Sequence, residues 1–326
     1  MRARAVTFVA PGKVELRDLE LAAPGAGEAL VRVESSGLSA GTERLVLSGE
    51  LDGDEPLDTT LKGMEARPSF PMRYGYCAVG VVEAVGPGVD AAWLGRRVLA
   101  LQPHQSHLVV PVSSLIGIPT GVSADVATLL PNLETAVSLV MDGAPILGEA
   151  VGVVGLGVVG QLVTALLTQL KLGPVFAIDP RADRRAVAER SGAITLEAPT
   201  RDACDLVIEV SGVMAGLSSA LELARADGRV IVGSWYGATA QPLALSTRVH
   251  RARQTVRFSQ VSRIDSALSH RFTHARRMAV AVEWLSRLQL GSLVTHHVAA
   301  ARAPDAYALL MAPPTGCLHI VLSWSP

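Results

Sequence analysis

The chain has 326 residues and a mass of 34.1 kDa, a length beyond which single hydrophobic cores usually stop growing, so two domains are expected. Hydrophobic residues make up 49% and charged residues 18%, which excludes a disordered chain, and three cysteines exclude both a disulfide framework and a four-cysteine zinc site. A formal net charge of −1 offers no overall attraction to nucleic acid, so partners have to be read locally.

Residues 1 to about 120 read as short strands punctuated by glycine and proline turns. Val6–Val9, Val14–Leu16, Ala29–Val33, Val79–Val85 and Arg97–Leu101 have strand composition, with Gly12, Pro24-Gly25 and Gly86-Pro87-Gly88 between them. This predicts a barrel-like β domain. Ser123 then caps a helix running toward Asp142. Strand and helix alternate after that: strand Val151–Val154, helix Val158–Leu170, strand Val175–Ile178, helix Arg184–Arg190 and a short strand near Ile194. Strand Asp205–Val210, helix Met214–Arg225, strand Arg229–Val232 and a β-rich stretch Thr255–Val261 complete the series. Such alternation predicts a doubly wound parallel sheet with right-handed crossovers. A helix from Phe272 to Leu290 and a β-like stretch Leu318–Leu322 close the chain, while His296-His297 is expected in a turn.

A mean hydropathy of +0.35 raises the question of a membrane span, centred on the charge-free run between Glu149 and Lys171. Its length suits a bilayer, but Gly152, Gly155, Gly157 and Gly160, followed by Gln161, Thr164, Thr168 and Gln169, fit a buried strand, tight turn and helix better. The N-terminal MRARAVTFVAPGK has no apolar run of secretory length. A soluble, cytoplasmic protein without a membrane or nucleic-acid partner is expected.

Within that run, Gly155-Leu156-Gly157-Val158-Val159-Gly160 follows an apolar strand, opens a helix, and is followed nineteen residues after its last glycine by Asp179. This context makes GxGxxG a dinucleotide-binding turn. Gly155 permits the bend, Gly157 admits a pyrophosphate, Gly160 lets helix and strand pack, and the helix N-terminus at Val158 faces the phosphates. A carboxylate at Asp179 accepts hydrogen bonds from the adenosine ribose and repels a 2′-phosphate, favouring NAD over NADP. Arg181, Arg184 and Arg185 could instead hold a phosphate if they fold back, or form a solvated helix face.

Val79-Gly80-Val81-Val82-Glu83-Ala84-Val85-Gly86, Gly95-Arg96-Arg97-Val98, the GxGxxG unit, and Asp205-Leu206-Val207-Ile208-Glu209-Val210-Ser211-Gly212 leading to Gly228-Arg229-Val230 together resemble the medium-chain dehydrogenase/reductase superfamily over nearly the whole chain. The resemblance implies a GroES-like β-barrel domain (1–134 with 263–326) into which a Rossmann domain (135–262) is inserted. It also implies a homodimer or homotetramer that pairs along the Thr255–Val261 edge.

Zinc-dependent members of that superfamily hold a metal through a Cys, a Gly-His-Glu and a later Cys or Glu. Here Ser39 stands for the first, Tyr76 and Cys77 for the second, and Asn132 or Glu134 for the third, so a zinc-free branch is expected. The strings Gly41-Thr42-Glu43, Tyr74-Gly75-Tyr76, Pro103-His104-Gln105, Asn132-Leu133-Glu134-Thr135-Ala136 and Ser234-Trp235-Tyr236-Gly237 are similar to a bacterial zinc-free subgroup that includes bacteriochlorophyllide dehydrogenases.

The resemblance implies NAD(H)-dependent interconversion of a secondary alcohol and a ketone. An NADPH-dependent enoyl or quinone reductase and a non-catalytic nicotinamide-nucleotide-binding protein are the alternatives. By the resemblance, Thr135, Val159, Ser211, the backbone of Ser234, Trp235 and Tyr236, and that of Ser259 and Gln260 line the cofactor. Ser39, Thr42 and Tyr76 face the reacting centre, with Tyr76 or Ser39 bonding the substrate oxygen and His104 or Glu134 completing a proton path. For Tyr76 the equal alternative is a core aromatic, for His104 and His107 hydrogen-bonded loop histidines, and for Glu134 a salt bridge or cap. Eight arginines and three histidines against Asp265 lie between Arg248 and Arg277, and seven acids against Arg44 and Lys62 between Glu43 and Glu65. These segments suggest solvated faces, an intersubunit contact, or steering of a small-molecule substrate that is anionic or carrier-bound.

Overall fold

The structure is a computed structural model and describes residues 1–49, 69–237, 242–243, 245 and 247–324. Of the acidic segment between Glu43 and Glu65, residues 43–49 are described and the rest lies outside the described residues. Two compact units form, Met1–Pro131 with Leu285–Pro326, and Asn132–Trp284.

The first unit is β-rich. It begins with the hairpin of β1 (Arg2–Ala10) and β2 (Lys13–Glu20), followed by β3 (Glu28–Gly37) and a short helix α1 (Thr42–Ser48). Next come β4 (Met72–Arg73), β5 (Ala78–Val85), β6 (Arg97–Ala100), β7 (His107–Pro111), β8 (Ile116–Gly117) and α2 (Ala124–Ala127). The spine is β3, where Ala29, Val31 and Val33 bury on alternate positions. It pairs antiparallel with β5, and with β7 through Glu28–Arg32.

A helix α3 (Leu130–Gly143) leads into the second unit, whose elements are β9 (Val151–Val154), α4 (Val158–Leu167), β10 (Val175–Ile178), α5 (Ala182–Arg190) and β11 (Ile194–Leu196). Then follow β12 (Cys204–Glu209), α6 (Met214–Leu223), β13 (Ala224–Val232), α7 (Thr247–Ala252), β14 (Thr255–Phe258) and α8 (His274–Arg287). Its strands are all parallel, in the order β11-β10-β9-β12-β13-β14. Counted within the unit this is 3-2-1-4-5-6, the doubly wound order, and the winding direction reverses between β9 and β12. All four residues of β9 are buried, as a central parallel strand covered on both faces requires. The chain then returns to the first unit with β15 (Val294–Ala299), α9 (Ala303–Met311) and β16 (His319–Ser323). There β15 pairs parallel with β16, which pairs antiparallel with Ser35–Gly37 of β3, giving the order β15-β16-β3-β5-β6-β8. Phe8, Val31, Leu108, Tyr307 and Leu322 share one core.

The fold is thus a GroES-like β domain and a Rossmann-type parallel sheet. No helix among the described residues is long and apolar enough to cross a membrane, and the run from Glu149 to Lys171 is strand, turn and helix as expected. Several elements differ from the sequence reading. The helix expected from Ser123 to Asp142 is interrupted at Thr128–Leu129, because Pro131 has no N–H to bond back to Ala127. His296 and His297 lie in β15, not a turn, since β16 pairs with both. The predicted helix to Leu290 ends at Arg287, and the stretch Thr255–Val261 is strand only to Phe258. The second compact unit ends at Trp284, beyond the 262 of the sequence-based division. Arg277 on α8 bonds Glu134, Ser138 and the carbonyls of Val261 and Arg263, which gathers this segment onto α3.

Candidate functional site

In the second unit Gly155, Asp179, Ser211 and Ser234 lie at the carboxyl ends of the parallel strands. Gly155 takes φ +92°, and its N–H donates to the Ile178 carbonyl at 2.9 Å. A Cβ on it would lie 2.5 Å from Ser211 Cα, and one on Gly160 would lie 1.9 Å from the Gly155 carbonyl oxygen, so both glycines are demanded by packing. Gly157 is different. It caps α4 with an ordinary φ of −69°, and a Cβ there would meet nothing within 4 Å among the described residues. The protein's own packing does not account for that missing side chain. Room for a ligand at the N-terminus of α4, where the first-turn N–H groups of Val158 and Val159 have no intrahelical acceptor, does. The turn therefore fits a dinucleotide phosphate.

Asp179 is buried at the end of β10. Its carboxylate accepts the Leu156 N–H at 2.8 Å and the Arg181 N–H at 2.9 Å, so it ties the glycine-rich turn to β10. Arg184 approaches it at 3.5 Å, with its Nε buried and unbonded among the described residues. Of the other two arginines that could fold onto a phosphate, Arg181 pairs with Asp183 at 2.8 Å and Arg185 donates to the carbonyls of Asp179 and Pro180.

Further along the sheet, Ser211 donates to Glu209, Ser234 Oγ accepts the Gly212 N–H at 2.8 Å, and the Tyr236 hydroxyl donates to Glu209 at 2.6 Å. Trp235 is exposed. Ser259 donates to Asp142 at 2.6 Å, and the Gln260 side chain accepts from Ser262. Thr135 is half-buried on α3. Glu134, expected on a proton path, is occupied by two hydrogen bonds from Arg277, whose side chain is 3% exposed. Within the basic segment Arg248, Arg253, Arg257, Arg276 and Arg277 are likewise engaged, with Asp202, Asp227, Asp265, the Arg271 carbonyl and Glu134. Much of its charge is therefore spent on internal contacts.

The first unit carries a second polar cluster. The Tyr76 hydroxyl donates to Ser39 Oγ at 2.5 Å and lies 3.4 Å from Thr42 Oγ1. Burial pushes the Tyr76 phenol up to about 12, so it keeps its proton at neutral pH. Behind this group sits Glu43, a residue that sequence reasoning placed within a motif but gave no role. It is fully buried on α1. One carboxylate oxygen accepts the Ser39 N–H at 2.8 Å, and the other meets the Tyr307 hydroxyl at 2.5 Å and His104 Nε2 at 3.1 Å. His104 Nδ1 is buried without a hydrogen bond among the described residues. The approach of His104 depends on Gly75, which takes φ +102° and whose Cβ would fall 2.2 Å from His104 Nε2. His107 lies at the start of β7 beside Ser106 and Glu83. Cys77 is a small buried residue whose thiol, bonded to the Thr128 carbonyl, is pushed up to about 12 by burial.

No three His, Cys, Asp or Glu side chains converge into a metal-holding group among the described residues. Where the resemblance would set two of the zinc ligands, the Ser39 and Tyr76 hydroxyls bonded to each other do not fit zinc, so no step is routed through a metal.

Residues 25–133 match the alcohol dehydrogenase GroES-like domain family. Over 99% of both chains the protein is 24% identical to the 2-desacetyl-2-hydroxyethyl bacteriochlorophyllide A dehydrogenase of Cereibacter sphaeroides. A short-chain alcohol dehydrogenase from Escherichia coli CFT073, complexed with NADH, superposes with a TM-score of 0.78 at 20% identity, covering 99% of each chain. A candidate zinc-binding dehydrogenase from Sinorhizobium meliloti 1021, bound to NADP, gives 0.77 at 19% identity, again over 99% of each. The domain match over residues 25–133, the full-length likeness to a dehydrogenase and the shared fold make the chain similar to dehydrogenases, two of them solved with NADH or NADP bound.

Proposed function

We propose that the chain transfers a hydride between NAD(H) and a secondary alcohol or ketone without zinc, using the Ser39–Tyr76 hydroxyl pair in place of a metal. The observation that carries this reading is the 2.5 Å hydrogen bond from Tyr76 to Ser39 Oγ. Because the phenol's proton is committed to Ser39, the Ser39 hydroxyl proton is the one left to meet a substrate oxygen. A hydroxyl that accepts one hydrogen bond donates the next more strongly. In ketone reduction negative charge develops on that oxygen, and Ser39 is the donor assigned to it, its hydroxyl oriented by the Tyr76 bond, with Thr42 beside Tyr76. The bound dinucleotide supplies or accepts the hydride. Gly155, Gly157, Gly160 and the first turn of α4 would hold its pyrophosphate, and Asp179 its adenosine ribose.

His104 and Glu134 serve better as supports than as proton carriers, since each already pairs within its own unit. NAD is favoured over NADP because Asp179 carries a carboxylate where a 2′-phosphate would sit, while Arg181 and Arg185 are engaged elsewhere. Bacteriochlorophyllide-like chemistry rests on the 24% relative and supports the alcohol–ketone class rather than that substrate. The three cysteines are free, in keeping with a cytoplasmic protein, and the exposed Val256 and Phe258 on the edge strand β14 suit a homodimer or homotetramer.

Removing the Ser39 or Tyr76 hydroxyl tests the reading. Ser39→Ala should lower turnover on a panel of secondary alcohols and ketones by on the order of a hundredfold at unchanged NADH affinity, and Tyr76→Phe by less. Unchanged turnover in both overturns it, and tighter binding of NADPH than of NADH overturns the cofactor assignment.

A further inference from the structure

A buried carboxyl at the switch point of the parallel sheet has no part in the chemistry above. Cys204, Leu206, Val207 and Ile208 make β12 an apolar core strand, yet it ends on Glu209, which is fully buried. Glu209 is in register with Val154 at the end of β9 on one side and Val232 at the end of β13 on the other. An acid in that place is costly unless its oxygens are bonded, and an apolar side chain would serve the core better. Both oxygens are in fact used. Oε1 accepts the Ser211 N–H at 2.8 Å and the Ser211 hydroxyl at 2.5 Å, and Oε2 accepts the Tyr236 hydroxyl at 2.6 Å.

We propose that Glu209 is a positioning residue for the cofactor, a latch that fixes three loops at the carboxyl end of the sheet relative to one another. This rests on the reading that the chain binds a nicotinamide dinucleotide. The turn after β12 is held through Ser211, and a Cβ on Gly155 would strike that residue, so the glycine-rich turn after β9 lies directly against it. The loop after β13 is held through Tyr236 and again through Ser234, whose hydroxyl accepts the Gly212 N–H at 2.8 Å. Gly216 belongs to the same device, for a Cβ there would lie 1.9 Å from Ser211 Oγ and 2.9 Å from Glu209 Oε1. Burial, and next the hydrogen bond to Glu209, raise the Tyr236 phenol above its usual range, so it remains the donor of the tie. In an open parallel sheet ligands bind outside the strand ends at the reversal of winding, which is where these three loops meet. The pyrophosphate turn is thereby set against the loop that carries Trp235.

The tie is broken with least disturbance by Tyr236→Phe, which removes one oxygen. Titration of nicotinamide fluorescence should show NADH bound about five- to tenfold more weakly, the value of one hydrogen bond. Adenosine diphosphate, which lacks the nicotinamide half, should bind within about twofold of wild type when measured by competition. Wild-type NADH affinity in Tyr236→Phe overturns the latch, as does parallel weakening of NADH and adenosine diphosphate, which signals general loosening. If the wild-type protein binds neither NADH nor NADPH, the cofactor reading fails and the latch with it. Binding by wild type with an unaltered variant defeats the latch alone.

Discussion

Gly155, Gly157 and Gly160 lack side chains for different physical reasons, and the difference can be measured. A methyl on Gly160 is set against the Gly155 carbonyl, so Gly160→Ala should destabilise the fold by roughly 1–3 kcal/mol in urea denaturation. A methyl on Gly157 enters open space at a φ any residue adopts. Gly157→Ala should therefore unfold within about 0.5 kcal/mol of wild type while binding NADH at least about tenfold more weakly. Equal affinity would mean that no phosphate approaches the backbone there. The motif and the role of each of its glycines were legible in the sequence, and the structure adds what each absent Cβ would touch, which no spacing discloses. Glu43 makes the same point: its partners His104 and Tyr307 lie 61 and 264 residues away.

At the scale of elements, β16 brings a titratable group into the core. His319 is 1% exposed, shares a 2.8 Å hydrogen bond between Nε2 and Thr128 Oγ1, and occupies the space left by Gly37 on β3. Burial, with a smaller contribution from His297, lowers its pKa from 6.5 to about 4. The unfolded chain therefore binds this proton more readily than the folded one. The stability contribution is complete above the unfolded value near 6.5 and is lost as the pH falls toward the folded value near 4. His319→Gln should flatten this acid limb, seen as a smaller drop in denaturation midpoint between about pH 7 and about pH 4.5. An unchanged limb would assign acid sensitivity to other groups. β15 and β16 also show why the paired histidines were misread: polar side chains at the rim of a sheet have turn composition, and only the neighbouring strand makes them a strand.

For the whole molecule, the ion pair between Glu134 and Arg277 joins the first and last helical segments of the second unit. Glu134→Gln would leave a buried guanidinium without its counter-charge, at a cost of roughly 3 kcal/mol in chemical denaturation. Turnover per folded molecule should be preserved. A fall in turnover at unchanged stability would return Glu134 to the proton path. The parallel sheet and the dinucleotide turn could be recognised from the sequence because each rests on local periodicity and on spacings of a few residues, whereas the nested division was implied by the family resemblance alone. The partners of Glu43, Glu134, Glu209 and Arg277 could not. Their pairing follows from strand order and helix placement, which bring distant residues together, and a buried charge discloses its role through the donors that the folded chain places around it.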